Sequence, residues 1–227
     1  RIHYPLPMYY ALMNLLSSHD VERARTALAT RLDARSMTRE QQARFIISDS
    51  QDARGAAMQK LAAAVQFTVP GVPSVYYGDE TGMNGMLDPF NRAPFTEGRH
   101  PLTDWYRALG EAHVKYDALK CGSAAFFAPH PDVLCILRCV TGGRDCFGSE
   151  ASDGVLLCAV NRSNSAVETV CDLWLDNAGL TSAELRALAD MNLTHGECLL
   201  CGESVEVENG LVRLNIPAES ARLYVLK

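Results

Sequence analysis

The chain has 227 residues, 48% of them hydrophobic, which is enough apolar material for one large domain or two ordinary ones. Its formal net charge of −6 argues against binding to nucleic acid or to anionic membranes, since both need clustered positive charge. No apolar run approaches the roughly 20 residues of a membrane-spanning helix. The first residues, RIHYPLP, show no signal-peptide pattern and read as an internal start. A cytoplasmic location is the expectation.

The first predicted element is the apolar segment MNLLSS at 13–18. Both of its faces are apolar, which is typical of a buried strand in a parallel sheet. An ionisable pair, His19 and Asp20, follows directly. From the local sequence two interpretations are open: Ser17-x-x-Asp20 fits a capping box that opens a helix, and a polar pair at the carboxyl end of a buried strand is typical of a ligand site.

Helices and a second strand then alternate. The segment 38–41, Thr-Arg-Glu-Gln, is a capping box that predicts a short helix. Residues 52–67 carry apolar side chains at helical spacing and are followed by a Pro-Gly stop. VPSVYYG at 72–78 predicts a second compact strand, and an apolar stripe over 102–119 predicts another helix. Strand, helix, strand and helix in this order form the βαβ pattern of a parallel sheet.

The pattern changes after Cys121. Short and mostly alternating apolar runs, separated by turn residues, predict an antiparallel β-sandwich. Asn209-Gly210 lies between two of these runs and predicts a two-residue hairpin turn. The polar stretch 141–154 predicts a long exposed hairpin loop.

All eight cysteines lie at or beyond Cys121. His195, Cys198 and Cys201 have a spacing that a zinc ion could use, but known zinc sites usually pair two such groups and a second is not evident nearby. Reduced, buried thiols are the favoured interpretation. Disulfides remain open if the protein is secreted, and their pairing cannot be read from the sequence. No metal and no cofactor are expected.

Two segments together resemble the end of the catalytic barrel in the α-amylase family, glycoside hydrolase family 13. They are NLLSSHD at 14–20 and PGVPSVYYGDETGMNGMLDPFNRAPF at 70–95. In detail they are most similar to the neopullulanase, cyclomaltodextrinase and maltogenic amylase branch. The resemblance covers essentially the whole chain and implies an α/β plus all-β fold. Residues 1–120 would be the last strand–helix units of an incomplete (β/α)8 TIM barrel, and residues 121–227 a C-terminal antiparallel β-sandwich domain.

The resemblance also implies roles for four residues. Asp20 matches the third catalytic carboxylate, a transition-state stabiliser that holds the 2- and 3-hydroxyls of the glucose being cleaved, and His19 matches a histidine that binds the same sugar. Asp88 and Arg92 match a substrate-binding pair for the next glucose on the non-reducing side. This context favours a functional Asp20 over a helix cap. For Asp88 and Arg92 a simple loop salt bridge stays equally open, because surface ion pairs are common.

The implied activity is retaining cleavage of α-1,4 glucosidic bonds, with α-1,6 bonds and transglycosylation left open. The substrate would be an α-glucan, a maltooligosaccharide or a cyclodextrin. The family's nucleophile and general acid belong to earlier barrel strands. The missing N-terminal part of the barrel is therefore an expected partner, and the piece is not expected to act alone. A homodimer is also left open. Val21, where many members have threonine, and the cysteine-rich sandwich depart from the family pattern.

Two alternatives remain open. One is a non-catalytic relative that serves as an ancillary subunit, against which the retained His19 and Asp20 argue. The other is a free-standing carbohydrate-binding module formed by the sandwich. That module is the weaker alternative, because Trp174 is the only tryptophan of the sandwich and lies in an apolar, strand-like context.

Overall fold

The computed structural model describes residues 4–30, 32–98, 100–175 and 179–227. It contains a two-stranded parallel sheet surrounded by helices, followed by an eight-stranded antiparallel sheet. This confirms the predicted fold class, the end of a (β/α)8 barrel followed by an antiparallel β-sandwich. In the part of the chain that the structure describes, no helix is long and apolar enough to cross a membrane.

The parallel pair consists of β1 and β2, with Asn14 opposite Pro73. The strands are parallel neighbours, as predicted, but they are shorter than the predicted segments 13–18 and 72–78, and the following residues leave the sheet as loops. Asn14 fixes the pair to the preceding helix, because its side-chain amide donates to the carbonyl oxygens of Gln66 at 3.2 Å and Val69 at 3.3 Å. The strands are β1 (Met13–Leu15) and β2 (Val72–Ser74).

Seven α-helices are described. Those that begin at Arg39 and Asp49 have capping boxes, in which Thr38 and Ser48 accept from the backbone N–H three residues on, and the first of these confirms the predicted capping box. The helix predicted over 102–119 is two helices, because Tyr116 is extended and separates them. The helices are α1 (Leu6–Tyr10), α2 (Ala24–Thr30), α3 (Arg39–Ala43), α4 (Asp49–Thr68), α5 (Pro101–Lys115), α6 (Asp117–Cys121) and α7 (Ser182–Asp190).

The antiparallel sheet has the strand order β3-β4-β5-β10-β7-β8-β9-β6. It bends at β8, which pairs with β7 through residues 204–206 and with β9 through residues 207–208. Asn209 and Gly210 both have positive φ, 50° and 76°, which confirms the predicted hairpin turn. The strands are β3 (Ser123–His130), β4 (Val133–Val140), β5 (Gly154–Asn161), β6 (Val167–Asp172), β7 (His195–Cys198), β8 (Ser204–Glu208), β9 (Leu211–Ile216) and β10 (Ser220–Leu226).

Two apolar cores lie on the two faces of this sheet. The inner core fills the space between its folded halves, and the outer core packs helices α4, α5 and α6 against β4, β5 and β10. The alternation of side chains along each strand explains why neighbours go to different cores. The inner core includes Leu137, Leu157, Leu173, Val212 and Tyr224, and the outer core includes Leu61, Leu102, Leu109, Leu119, Ile136, Leu156 and Leu223.

The cysteines are free thiols, and most of them are buried. Burial raises the pKa of the Cys139 and Cys158 thiols to about 12, which keeps them protonated near neutral pH. Of the residues that the structure describes, no group of three His, Cys, Asp or Glu side chains could hold a metal ion, and His195, Cys198 and Cys201 are no exception.

Candidate functional site

The predicted site residues lie in two loops that leave the carboxyl ends of β1 and β2. We call these loops, residues 16–23 and 75–93, the rim loops. His19 and Asp20 are in the first loop, and Asp88 and Arg92 are in the second. Because β1 and β2 are parallel, both loops leave the same edge of the sheet.

Asn91 holds the two rim loops together. Its buried side-chain amide donates to the carbonyl oxygen of His19 at 3.0 Å and to that of Val21 at 2.7 Å. Asn91 directly precedes Arg92, so the hydrogen bonds that fix the backbone around Asp20 also fix the end of the second loop. The structure therefore brings the His19–Asp20 and Asp88–Arg92 segments into one loop cluster.

Arg23 is the second link between the rim loops. Its side chain is completely buried, and Nε donates to the carbonyl oxygen of Asn91 at 3.1 Å. Nη1 donates to the carbonyl oxygen of Tyr77 at 2.6 Å and to Asp79 Oδ1 at 3.2 Å. The guanidinium also lies 4.6 Å from the ring centroid of Tyr76 and 4.7 Å from that of Tyr77. This arrangement fits a planar, delocalised cation that is desolvated against aromatic rings.

The carboxyl group that faces Arg23 has an altered acidity. Burial raises the pKa of Asp79 to about 6, and the hydroxyl of Ser17 and the guanidinium of Arg23 limit the rise. A buried carboxylate is costly unless it is paired and hydrogen-bonded. The rim loops are thus supported from below by a polar network whose one carboxyl group has a raised pKa.

The predicted sugar-binding side chains lie above this network and are exposed. His19 Nε2 lies 3.2 Å from Asp20 Oδ1, and 74% of the Asp20 side chain is accessible to solvent. Arg92 Nε lies 3.0 Å from Asp88 Oδ1. Two ionisable pairs on one edge of the sheet can offer carboxylate oxygens and N–H donors to an entering polar ligand.

The helix-cap interpretation of Ser17-x-x-Asp20 is wrong. Residues 19 and 20 form a turn, and α2 begins at Ala24. Ser17 Oγ accepts from the N–H of Ala24 at 2.8 Å, so the serine caps a later helix. Within the described residues, the Asp20 carboxylate accepts no N–H from α2. Asp20, which the motif suggested as a helix-capping residue, therefore does not cap α2.

Arg23 and Asn91 were missed by the sequence reasoning. Both lie within a few residues of the quoted motifs, in DVER and DPFNR, where they resemble solvated loop residues. Nothing in their spacing indicates burial. The only available signal is their position inside the two segments that carry the family resemblance.

Comparisons with known proteins place this geometry in context, although no family model matches the chain. An amylopullulanase of Thermoanaerobacterium saccharolyticum is 30% identical over 231 residues, which cover 98% of this chain and 16% of that protein. A cyclomaltodextrinase of Geobacillus thermopakistaniensis is 29% identical over 197 residues, covering 82% of this chain and 28% of the relative. The crystal structure of an Anoxybacillus α-amylase has a TM-score of 0.68 at 22% identity, covering 96% of this chain and 38% of that one.

The curated relatives are much longer than the part that this chain matches. The chain spans about one sixth of the first amylopullulanase and about one quarter of the cyclomaltodextrinase. The α-amylase structure supports the fold, and the relatives support the motif-based resemblance. The chain belongs to the α-amylase family, glycoside hydrolase family 13, and corresponds to a C-terminal portion of that family's pattern.

Proposed function

We propose that this chain is the C-terminal part of a retaining glycosidase that acts on α-glucans. The observation that carries the proposal is the anchoring of the His19–Asp20 loop to the Asp88–Arg92 loop through Asn91, at the carboxyl edge of a parallel strand pair. In (β/α) barrels this edge carries the chemistry. In this proposal residues 1–120 belong to the barrel and residues 121–227 form the C-terminal β-sandwich domain.

Asp20 acts as the transition-state stabiliser. Its exposed carboxylate can accept hydrogen bonds from the adjacent 2- and 3-hydroxyls of the glucose whose bond is cleaved. Glycoside hydrolysis passes through an oxocarbenium-like state, and hydrogen bonds to the 2-hydroxyl that strengthen there contribute several kcal/mol. His19, in contact with Asp20, donates to an oxygen of the same sugar.

Asp88 and Arg92 bind the neighbouring glucose. Both side chains are about half exposed, so their ion pair contributes at most about 1 kcal/mol to stability. A weak, exposed pair leaves the planar guanidinium fork and the carboxylate oxygens available to ring hydroxyls. This exposure allows a binding role for the pair.

The reaction needs two further carboxylates, a nucleophile and a general acid about 5–5.5 Å apart. In the family pattern these come from earlier barrel strands, so this part of the molecule supplies sugar binding and transition-state stabilisation and does not break the bond alone. Cleavage of α-1,4 bonds is proposed, and cleavage of α-1,6 bonds and transglycosylation depend on the whole cleft. An uncharged α-glucan, maltooligosaccharide or cyclodextrin fits a site of paired opposite charges.

The substitution Asp20→Asn in the intact enzyme tests the proposal. It keeps the shape but removes the charge and converts one acceptor oxygen into a donor. We expect kcat on maltooligosaccharides to fall by on the order of 10³, equivalent to about 4 kcal/mol, with a much smaller change in KM. Turnover and the melting curve are measured on the same sample.

Asp33→Asn is the matched control, because Asp33 is an exposed aspartate that caps a helical turn by accepting from the N–H of Arg35 at 3.0 Å. It should keep normal turnover and lose no more than about 1 kcal/mol of stability. Near-normal kcat in Asp20→Asn would contradict the proposal. An intact wild-type protein without turnover would instead favour a non-catalytic relative with an ancillary role or a carbohydrate-binding module.

A further inference from the structure

A cleft of about 300 Å³ lies in the sandwich, between the tip of the β8–β9 hairpin and the end of α7. It includes no residue of the rim loops. Its floor is apolar, with Leu173 and Leu188 buried in the inner core, and its mouth is polar. Concave sites that combine an apolar floor with converging polar groups can bind small ligands.

Trp174 forms one wall of this cleft. A side chain on Gly210 would meet three atoms of the indole, Cε2, Cδ2 and Nε1, at 2.5–2.9 Å, so the ring presents its face to the hairpin backbone at that point. Glycine is favoured at position 210 for two reasons. A larger side chain would collide with the indole, and the φ of 76° lies in the left-handed region that glycine adopts readily. Trp174 remains 42% exposed, and its indole N–H donates to no residue that the structure describes.

Packing of the inner core does not account for the exposed position of the Trp174 ring. The preceding residue, Leu173, is 1% exposed and already fills the core at this position. Leaving a large aromatic face in solvent loses the hydrophobic free energy that its burial would contribute. An aromatic side chain fixed against backbone beside a cleft is instead suited to stacking on a ligand.

The polar groups at the mouth are hydrogen-bonding groups without positive charge. They come from Asn192, Thr194, Glu208 and Asn209. The Asn192 amide nitrogen donates to the carbonyl oxygen of Asp190 at 2.9 Å, which orients the side chain and leaves its oxygen as an acceptor. Glu208 and Asn209 make no side-chain hydrogen bond or ion pair with the described residues, and no Lys, Arg or His lines the cleft.

The exposed indole and the uncharged or acidic groups at the mouth together indicate which class of ligand would bind. An anionic ligand would meet Glu208 and find no cation. A sugar ring offers an apolar C–H face for the indole and hydroxyl groups for amide and carboxylate side chains. We propose that the Trp174 cleft is a second carbohydrate-binding site that holds one or two glucose units of an α-glucan chain. The choice of α-glucan rests on the proposed function of the rim loops.

The test is native gel electrophoresis of the intact natural protein through gels that contain amylopectin, with gels that contain a soluble β-glucan as a comparison. Migration is measured for the wild type and for Trp174→Ala, Asp20→Asn and Phe126→Ala. Phe126→Ala is the matched control, because Phe126 is also an exposed aromatic side chain of the sandwich. We expect amylopectin to retard the wild type, and Trp174→Ala to weaken this binding about tenfold or more. Phe126→Ala should migrate like the wild type.

Two further variants distinguish a loss of binding from a loss of folding. Asn209→Gly keeps a residue that tolerates positive φ in the turn, and Glu208→Gln keeps the shape, so each should weaken binding with an unchanged melting curve. Equal retardation of wild type and Trp174→Ala, no retardation of the wild type, or equal retardation by the β-glucan would overturn the proposal. Retention that depends on Trp174, in an enzyme whose Asp20→Asn variant turns over normally, would support this site while refuting the function proposed for the rim loops.

Discussion

The eight-stranded sheet and the parallel strand pair bury their apolar side chains to very different extents. Leu137 and Leu157 in the sheet are 0% exposed, whereas Met13 and Leu15 in β1 are 63% and 53% exposed. The sheet folds over and supplies both walls of its inner core. The two-stranded pair has apolar side chains and strand edges without neighbours among the described residues, as expected for strands of a barrel that further strands would close.

The two regions are nevertheless connected by side-chain packing and hydrogen bonds as well as by the covalent chain. Helices α4 and α5 pack on the outer face of the sheet, and Arg138 of β4 is completely buried beneath them. Its Nη1 donates to the carbonyl oxygen of Thr68 at the end of α4 at 2.7 Å, and its Nη2 donates to that of Gly122 at 3.1 Å. Contacts with the sandwich therefore hold these helices in place, although the parallel strand pair lacks neighbouring strands. The two regions differ in how far their strands bury apolar side chains.

The largest expected difference comes from removing one leucine from each sheet. Leu157→Ala should destabilise the chain by about 2–5 kcal/mol, because it leaves a cavity in the inner core. Leu15→Ala in β1 should change stability by less than about 0.5 kcal/mol, as for ordinary surface substitutions. Denaturant unfolding of both variants measures the contrast.

The same pair of variants also sharpens the comparison when it is made in the longer glycosidase that we propose. If further barrel strands cover β1 there, Leu15→Ala should become several-fold more costly than in the chain alone, while the cost of Leu157→Ala should stay the same. An equal cost for Leu15→Ala in both contexts would mean that its side chain faces solvent in the whole protein.

A smaller effect is expected from Asp79, beneath the rim loops. Its pKa of about 6 lies above the ordinary 3.8, so between about pH 4 and pH 6 the folded state binds more protons than the unfolded state. The contribution of Asp79 to stability is then fully present below about pH 4 and is lost as the pH rises through 6, by up to about 3 kcal/mol. Asp79→Asn should flatten this part of the pH profile.

Asp88→Asn is the control for that measurement, since it removes an exposed carboxylate from the same rim loop. Thermal unfolding of both variants between pH 4 and pH 6 is compared with that of the wild type. If Asp79→Asn kept the slope of the wild type, the pairing with Arg23 would outweigh the desolvation of the carboxyl group.

Much of the fold could be predicted because its signals are local. The Asn209-Gly210 hairpin and the Thr38 capping box depend on the backbone preferences of a few neighbouring residues, and both are confirmed. The break at Tyr116 could not be predicted, because the apolar stripe continues across it and both helices bury their leucines in the same outer core. Tertiary packing decides such boundaries.

The site was only partly predictable for a related reason. The exposed residues His19, Asp20, Asp88 and Arg92 were assigned by resemblance, and their roles remain predictions. Arg23, which lies beneath them, depends on contacts with residues 54 to 68 positions away in the chain. No local pattern distinguishes a buried arginine of this kind from a solvated one, and its burial is unusual for its residue type.

The smallest predicted effect concerns the caps of two helices that differ in packing. Ser48→Ala removes the hydroxyl that accepts from the N–H of Gln51 at the start of α4, and we expect a loss of about 1 kcal/mol. Because α4 contacts both the parallel pair and the sandwich, this loss should lower the stability of the whole chain. Thr38→Ala is the matched control: it removes the same kind of cap from α3, which has five residues and none buried. Local fraying of α3 should leave global unfolding nearly unchanged. Thermal unfolding compares the two variants, and a Tm of Ser48→Ala as close to the wild type as that of Thr38→Ala would show that α4 does not couple the two regions.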